Sequence, residues 1–105
     1  MAHEQRSEAS VVTRSEDCDR VVQVLKAVAH PVRLKIIALL CDGDYNVTEL
    51  STRLDASQSV VSQQLRILRM NQLVDFTRKD GFAIYRLTEP HLVNLIKCVQ
   101  ACCAM

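Results

Sequence analysis

The groups with the clearest chemical reactivity in this 105-residue sequence are its five cysteines. Cys98 and Cys102 are four residues apart, and Cys103 follows directly. In a helix, thiols at this spacing lie one turn apart and can bind one ion together, with Cys103 or Cys18 as a third thiolate. Three thiolates suit arsenite or a soft heavy metal better than a hard cation. The alternative for each cysteine is a place in the core, because free cysteine is among the most buried residue types.

Polar side chains between residues 57 and 71 suit a different chemistry, contact with nucleic acid. Val61, Leu65 and Leu68 are spaced as on one face of a helix, and no carboxylate interrupts the polar residues around them. Hydroxyl, amide and guanidinium groups can hydrogen-bond base edges and phosphates, which acidic groups would repel. The alternative is an ordinary surface helix, although such a helix usually mixes both signs of charge. The candidate DNA-contacting residues are Ser57, Gln58, Ser59, Ser62, Gln63, Gln64 and Arg66.

The segment before this helix predicts a helix-turn-helix. Asn46 and Glu49 have the spacing of a capping box, which opens a short helix. Asp55-Ala56 then leaves only a tight turn before Ser57, which can cap the next helix. In a helix-turn-helix the second helix enters the major groove and the first braces it. The flanking sequence therefore favours DNA contact over an ordinary surface helix.

Two short runs of β-forming residues, 73–78 and 82–87, follow the second helix. They are joined through Lys79-Asp80-Gly81, and Asp-Gly is a strong hairpin signal. A hairpin in this place is a wing, and Arg78 and Lys79 near its tip suit contact with phosphates or the adjacent minor groove. The alternative is a hairpin whose basic tip is only solvated.

Three further helices complete the predicted fold. Ser15 can cap the first, Pro31 can occupy the first turn of the second, and Pro90 marks the start of the last. We therefore expect residues 15–105 to form one winged helix-turn-helix domain, mainly α with a small β-hairpin, in the order α-α-α-α-β-β-α. Residues 1–14 are polar with mixed charge, and we expect a mobile N-terminal segment there.

The last helix carries an apolar stripe, formed by Leu92, Leu95, Ile96 and Val99. A terminal helix with an unpaired apolar stripe often packs against a second subunit. The sequence therefore predicts a homodimer.

Charge and compartment add weaker constraints. The net charge of the chain is only +1. Residues 1–50 carry six Lys/Arg and eight Asp/Glu, a net charge of −2, whereas residues 51–105 carry seven Lys/Arg and four Asp/Glu, a net charge of +3. The basic half contains the proposed DNA-contacting helix. The N-terminus has no signal-peptide-like apolar run, and no run of about 18 apolar residues occurs. We therefore expect a cytoplasmic protein without a membrane partner, in which an odd number of cysteines favours reduced thiols, metal ligands or redox sensors over disulfides.

Four segments of the chain resemble the ArsR/SmtB family of bacterial repressors, in the family's order and spacing. The resemblance implies a homodimeric winged helix-turn-helix protein whose first and last helices form the dimer interface. It also implies binding to double-stranded operator DNA in the resting form and release when an inducer binds. Gln64 stands where many members have histidine. The resemblance extends over about residues 18–103. The four segments are 30–37 (HPVRLKII), 46–50 (NVTEL), 57–68 and 85–88 (YRLT).

Members of this family differ in where their sensor site lies. One site uses two cysteines at the start of the third helix, where this chain has Asn46 and Thr48, so that site is absent. Another uses the last helix. On that helix His91 and Cys102 lie about 16 Å apart along the axis, at a rise of about 1.5 Å per residue. Only an antiparallel helix from a partner subunit can therefore bring such ligands to one metal ion. The resemblance implies the ligands Glu89, His91, Cys102 and Met105 for this site.

A third sensing mode in the family is oxidation or persulfide formation at thiols of the second and last helices. Cys41 and Cys103 are the candidates here, although the relatives' cysteines correspond to Ala38 and Ala104. A disulfide between the two candidates would need Cα atoms within about 7 Å of each other.

The expected function is therefore sequence-specific repression, relieved when arsenite or a soft metal ion such as Cd, Zn or Pb binds cysteine thiolates, with no cofactor required. One rival hypothesis is the thiol or persulfide sensor, and another is a winged-helix protein-interaction module that binds no DNA. An enzyme is not expected, because the chain has no Cys-x-x-Cys motif and no Cys/His catalytic arrangement.

Overall fold

The computed structural model describes residues 14–103, which form five α-helices and one two-stranded antiparallel sheet in the predicted order. The predicted N-terminal segment, apart from Arg14, lies outside the described residues, as do Ala104 and Met105. Within residues 14–103, every helix is too short or too polar to cross a membrane. The elements are α1 (Ser15–Val28), α2 (Pro31–Asp42), α3 (Val47–Leu54), α4 (Gln58–Met70), β1 (Val74–Lys79), β2 (Phe82–Leu87) and α5 (His91–Cys103).

Local side-chain contacts determine where α2 and α3 begin. Nδ1 of His30 accepts a hydrogen bond from the backbone N–H of Val32 at 3.2 Å, and Pro31 occupies the first turn as predicted. The predicted capping box is present at α3: Oδ1 of Asn46 accepts from the N–H of Glu49 at 2.8 Å, and Oε1 of Glu49 accepts from the N–H of Asn46 at 2.9 Å. Two backbone donors at this helix end are thus satisfied.

Asn46→Ala is expected to lower the free energy of unfolding by about 1 kcal/mol, because it removes the acceptor that caps α3. Asn46→Asp retains that acceptor and should stay close to the wild type. Urea denaturation followed by circular dichroism measures both variants. An Asn46→Ala protein as stable as the wild type would contradict the importance of this cap.

The start of α1 differs from the prediction. The helix begins at Ser15, but the capping residue is Arg14, and no side chain caps the helix. The prediction that Ser15 caps α1 was therefore wrong by one residue. Glu16 and Asp17 lie in the first turn, where negative charge favours a helix N-terminus.

The apolar stripe of α4 lies at the centre of the core. Val61, Leu65 and Leu68 are fully buried, as their spacing predicted. They belong to one cluster with Ile36 and Ile37 of α2, which are also fully buried. Because this burial fixes the rotation of α4 about its axis, the opposite, polar face of the helix must point away from the core.

The wing is a tight hairpin, in which Lys79 at the end of β1 pairs with Phe82 at the start of β2. This pairing leaves Asp80 and Gly81 at the turn, with φ of 51° and 83°. Positive φ at both positions is the requirement of a type I′ turn, which matches the twist of the strands. The predicted first strand began one residue too early, because the N–H of Leu73 still bonds to a carbonyl of α4, at 3.1 Å.

A backbone bridge attaches the wing to the rest of the domain. Tyr45, between α2 and α3, donates its N–H to the carbonyl of Tyr85 at 3.2 Å and accepts from the N–H of Tyr85 at 2.8 Å. Cζ of Arg53 in α3 lies 4.8 Å from the centroid of the Tyr45 ring. An isolated two-stranded hairpin is only marginally stable, so these contacts help to hold the wing beside the helix-turn-helix.

The outer sides of α1 and α5 leave an apolar face uncovered. Val21 is 38% exposed, Leu25 48% and Val99 42%, although Val99 belongs to the apolar stripe predicted for the last helix. Val21 and Leu25 line a groove of about 370 Å³ between the two helices, and Leu25, Leu95 and Val99 line a second groove beside it. Contiguous apolar surface of this kind is typical of a face that contacts another protein.

Candidate nucleic-acid interface and thiol sites

The polar face of α4 projects into solvent opposite its buried stripe. Ser59, Ser62, Gln63 and Arg66 are all exposed, and their side chains take part in no hydrogen bond within the described residues. Hydroxyl, amide and guanidinium groups are therefore free to contact a ligand, and no carboxylate lies among them. This is the arrangement that the sequence predicted for a DNA-contacting helix.

The first residues of α4 have local partners. Oγ of Ser57 accepts a hydrogen bond from the N–H of Val60 at 3.1 Å, which caps the helix as predicted. Nε2 of Gln58 donates to Oγ1 of Thr48 in α3 at 3.3 Å. Both side chains are exposed and retain further hydrogen-bonding capacity, but in this structure Ser57 caps α4 and Gln58 links α4 to α3.

Gln64 differs from the other predicted DNA-contacting residues. It is half-buried, and its Oε1 accepts a hydrogen bond from NH1 of Arg33 in α2 at 2.8 Å. Its position three residues after Val61 and four before Leu68 places it beside the buried stripe. Gln64 therefore faces α2 in this structure and is set apart from the exposed face.

Val60 is an exposed residue that the sequence analysis missed. Its side chain is 39% exposed, although a valine is usually buried in a helix of this size. It lies between Ser59 and Val61, off the apolar stripe, and that displacement is the signal that identifies it. An exposed methyl group on this face can contact the methyl group of thymine.

Cations at the wing and at the end of α4 surround one aromatic ring. The Cζ atoms of Arg69 and Arg78 lie 4.5 Å and 5.7 Å from the centroid of Phe76. Nε of Arg69 also donates to Oδ1 of Asp75 at 3.1 Å. The backbone N–H of Phe76, followed by the Arg69 guanidinium, lowers the pKa of the Asp75 carboxyl group. These exposed contacts add little stability, but they restrict where the two guanidinium groups point.

Arg78 and Lys79 on the wing were predicted from the sequence, and both are exposed. Arg69 and Phe76 were not predicted. The opposite charges of Arg69 and Asp75 flank the helix–strand junction, and that pairing is the sequence signal that was available.

Four of the five cysteines are exposed, namely Cys18, Cys98, Cys102 and Cys103, and all five are free thiols. Cys102 and Cys103 are therefore not part of the hydrophobic core of a single chain, unlike Leu92 and Ile96 of α5. Within residues 14–103, no three His, Cys, Asp or Glu side chains converge as metal ligands. The predicted set of Cys98, Cys102, Cys103, Cys18, His91 and Glu89 is thus not assembled within one chain.

Cys41 lies apart from the other thiols. It is half-buried and, together with Ala38, Lys97 and Gln100, lines a groove of about 210 Å³ between α2 and α5. Burial, followed by the neighbouring Asp42 carboxylate, raises the pKa of the Cys41 thiol. This thiol is therefore less readily ionised than an ordinary cysteine.

The two remaining candidate ligands bind each other at the start of α5. Nδ1 of His91 lies 2.6 Å from Oε1 of Glu89, which also accepts from the His91 backbone N–H at 3.1 Å. The side-chain hydrogen bond and then the backbone hydrogen bond lower the pKa of the Glu89 carboxyl group. Both residues border the groove between α1 and α5, where a second subunit could reach them.

A helix-turn-helix, a wing and a closing helix together define this chain as a winged helix-turn-helix protein. Residues 30–75 match the family model described as "Bacterial regulatory protein, arsR family". The biofilm growth-associated repressor of Xylella fastidiosa (strain 9a5c) is 33% identical over 100 residues, which cover 91% of this chain and 88% of the relative. The chain therefore belongs to the ArsR/SmtB family, as its sequence segments predicted.

Solved structures show the same fold. HlyU from Vibrio cholerae N16961 superposes with a TM-score of 0.81 at 32% identity, covering 88% of this chain and all of HlyU. The homodimeric winged helix-turn-helix DNA-binding domain of Mb0332 from Mycobacterium bovis, a possible ArsR-family transcriptional regulator, superposes with a TM-score of 0.74 at 29% identity. That match covers 83% of this chain and 81% of the Mb0332 domain.

Proposed function

We propose that this chain is a homodimeric, sequence-specific DNA-binding repressor that an inducer releases from its operator. The observation that carries the proposal is the exposed face of α4, which offers hydroxyl, amide and guanidinium groups but no carboxylate. The similar proteins are named as regulators of transcription, and we assign no catalytic activity to the chain.

The exposed face of α4 suits the major groove of B-DNA. The amide of Gln63 and the guanidinium of Arg66 can form two hydrogen bonds to a single base edge, adenine and guanine respectively. The hydroxyls of Ser59 and Ser62 suit base edges or phosphates, and Val60 suits a thymine methyl group. These five residues are therefore the proposed determinants of operator sequence.

Arg78 and Lys79 are proposed to contact phosphates next to the minor groove. Arg78→Ala should weaken binding to all duplexes by a similar factor and reduce the slope of log affinity against log salt concentration by about 1, because one phosphate contact is lost. Fluorescence anisotropy at several salt concentrations measures this slope. Lys97→Ala, which removes an exposed cation from α5, is the matched control and should leave the slope unchanged. A loss confined to one DNA sequence would contradict the phosphate assignment.

The dimer is proposed to form through the apolar face of α1 and α5. Val21, Leu25 and Val99 are exposed there, and the similar Mb0332 domain is a homodimer. A two-fold dimer presents two recognition helices to successive major grooves, with half-site centres about 34–36 Å apart. The operator should therefore contain an inverted repeat.

The inducer is proposed to be arsenite or a soft metal ion bound by Cys98 and Cys102. Both thiols are exposed and lie one turn apart on α5, which suits shared coordination of a soft ion. Since residues 14–103 of one chain hold no cluster of three ligands, further donors would come from the partner subunit or solvent. Binding on an interface helix would favour the dimer geometry that binds DNA poorly, with a coupling of about 1–3 kcal/mol.

Selection from a random duplex library tests the DNA-binding proposal. The reduced full chain should enrich a defined inverted repeat, and a scrambled duplex of the same composition should bind more weakly. Failure to enrich any sequence would overturn sequence-specific binding and favour the protein-interaction module.

A second candidate, sensing of persulfide or oxidant by Cys41 with Cys103, is favoured by one observation. Cys41 lines the groove between α2 and α5, one turn after Ala38. A persulfide donor would transfer its outer sulfur to the Cys41 thiolate and leave as a thiol. The Cys103 thiolate would then attack the Cys41 sulfur and displace hydrosulfide, which gives a Cys41–Cys103 disulfide. Mass spectrometry of the reduced chain treated with a persulfide donor tests this candidate. A loss of two hydrogens from the wild-type mass that Cys41→Ser and Cys103→Ser both abolish would support it, whereas a loss that both variants retain would exclude it.

A further inference from the structure

The side chain of Arg33 joins three helices at a point where the backbone lacks a donor. Its Nε donates to the carbonyl of Ala27 in the last turn of α1 at 2.6 Å, and its NH1 donates to Oε1 of Gln64 in α4 at 2.8 Å. In a continuing helix the Ala27 carbonyl would accept from the residue four positions later, but that residue is Pro31, which has no N–H. Arg33 therefore satisfies a helix-end carbonyl that would otherwise lack a partner.

These two hydrogen bonds lie in a partly buried place, so losing either of them should be costly. Ala27 is 5% exposed, while Arg33 and Gln64 are half-buried. Water competes less for donors and acceptors in such a place, and an acceptor left unpaired there is costly. A bond from a charged donor is also stronger than one between neutral groups. The contact thus links the orientation of α1 with that of α4.

We propose that Arg33 and Gln64 are positioning residues that set the angle of the recognition helix relative to α1, and that Gln64 makes no base contact. This inference rests on the proposed function. A shift of α1 at the dimer interface would move the Ala27 carbonyl, and the Arg33 guanidinium would transmit that shift to α4 through Gln64. Coupling between two sites can be carried by hydrogen bonds that join them. Here the Arg33 guanidinium joins α1 at the dimer interface to α4.

A comparison of Gln64→Glu with Gln63→Glu separates positioning from base contact. Gln64→Glu keeps an oxygen acceptor opposite Arg33 and should bind the selected duplex within about threefold of the wild type. Gln63→Glu places a carboxylate on the exposed face and should lose about tenfold or more in affinity. If Gln64→Glu loses as much as Gln63→Glu, Gln64 contacts DNA directly and the inference is wrong.

A double-mutant cycle of Arg33→Met and Gln64→Met provides the second test. Each single variant should weaken duplex binding without changing the salt slope, because neither side chain contacts phosphate. The double variant should lose little more than either single variant. Arsenite should also weaken the duplex binding of each single variant by a smaller factor than it weakens that of the wild type. If the two residues had a purely structural role, this factor would be unchanged. Additive losses, or an unchanged factor in the variants when the wild type responds to arsenite, would overturn the inference.

The variants also separate this inference from the proposed function. A wild-type chain that binds no duplex would overturn the proposed function and this inference together. A wild type that binds its selected duplex, combined with a large loss in Gln64→Glu, would overturn the inference alone. If Arg33→Met does not fold, the comparison of Gln64→Glu with Gln63→Glu still shows whether Gln64 contacts a base, because both variants keep Arg33.

Discussion

Arg66→Ala is expected to lower the affinity for the selected operator duplex by about 1–3 kcal/mol, roughly 5- to 150-fold. Arg66 is exposed on α4, one turn after Ser62 and opposite the buried Leu65 and Leu68. In that position its guanidinium can donate two hydrogen bonds to guanine, whereas Arg69, the other arginine of α4, donates to Asp75. The affinity for scrambled duplex should fall less, because a base contact contributes mainly to specific binding.

Arg66→Lys is the matched variant for this prediction, because it keeps the charge but loses the planar fork. If Arg66 contacts a base, Arg66→Lys should relax the preference at one operator position and retain non-specific binding. If Arg66 contacts phosphate, lysine should replace it with little loss. Anisotropy titrations on the selected duplex and on single-base variants distinguish these outcomes. An Arg66→Ala protein that binds within twofold of the wild type would contradict any role in DNA contact.

The double variant Cys98→Ser/Cys102→Ser is expected to stay on its operator after arsenite is added. Arsenite should reduce the operator affinity of the wild type by about 5- to 150-fold, which corresponds to the usual coupling of about 1–3 kcal/mol. Serine keeps the size of each side chain but provides no thiolate, so the double variant should bind DNA normally and show no response. Anisotropy of a preformed complex, titrated with arsenite and then with Cd, measures this effect.

Single variants locate the sensing thiols more narrowly. Cys18→Ser and Cys103→Ser remove the two proposed accessory ligands, and each should weaken the response without abolishing it if that thiol takes part. Cys41→Ser should leave the arsenite response intact, because Cys41 lies in a separate groove between α2 and α5. A double variant at Cys98 and Cys102 that still releases DNA normally would show that this sensor assignment is wrong.

Much of the fold could be predicted from local sequence. The stripe of Val61, Leu65 and Leu68 predicted the rotation of α4, because three apolar side chains at helical spacing define one buried face. The capping box at Asn46 and the Asp80-Gly81 turn were also predictable, since the geometry of caps and tight turns depends on neighbouring residues.

Contacts between distant residues could not be predicted in this way. Gln64 was grouped with the polar face because glutamine is polar, but its partner Arg33 is 31 positions away in the sequence. The bridge between Tyr45 and Tyr85 is also a long-range contact. The thiols pose a third problem, because a ligand set shared between two subunits does not appear in the sequence or fold of one chain.

The salt dependence of duplex binding tests whether α4 and the wing bind DNA. The affinity of the reduced wild-type chain for its selected duplex should fall linearly in a plot of log affinity against log salt concentration, across about 50–200 mM salt. The expected slope is about −0.9 for each phosphate contacted, so several contacts from Arg78, Lys79 and α4 give a steep decline. A flat dependence, or no duplex binding even at low salt, would contradict DNA binding by this surface and favour the protein-interaction module.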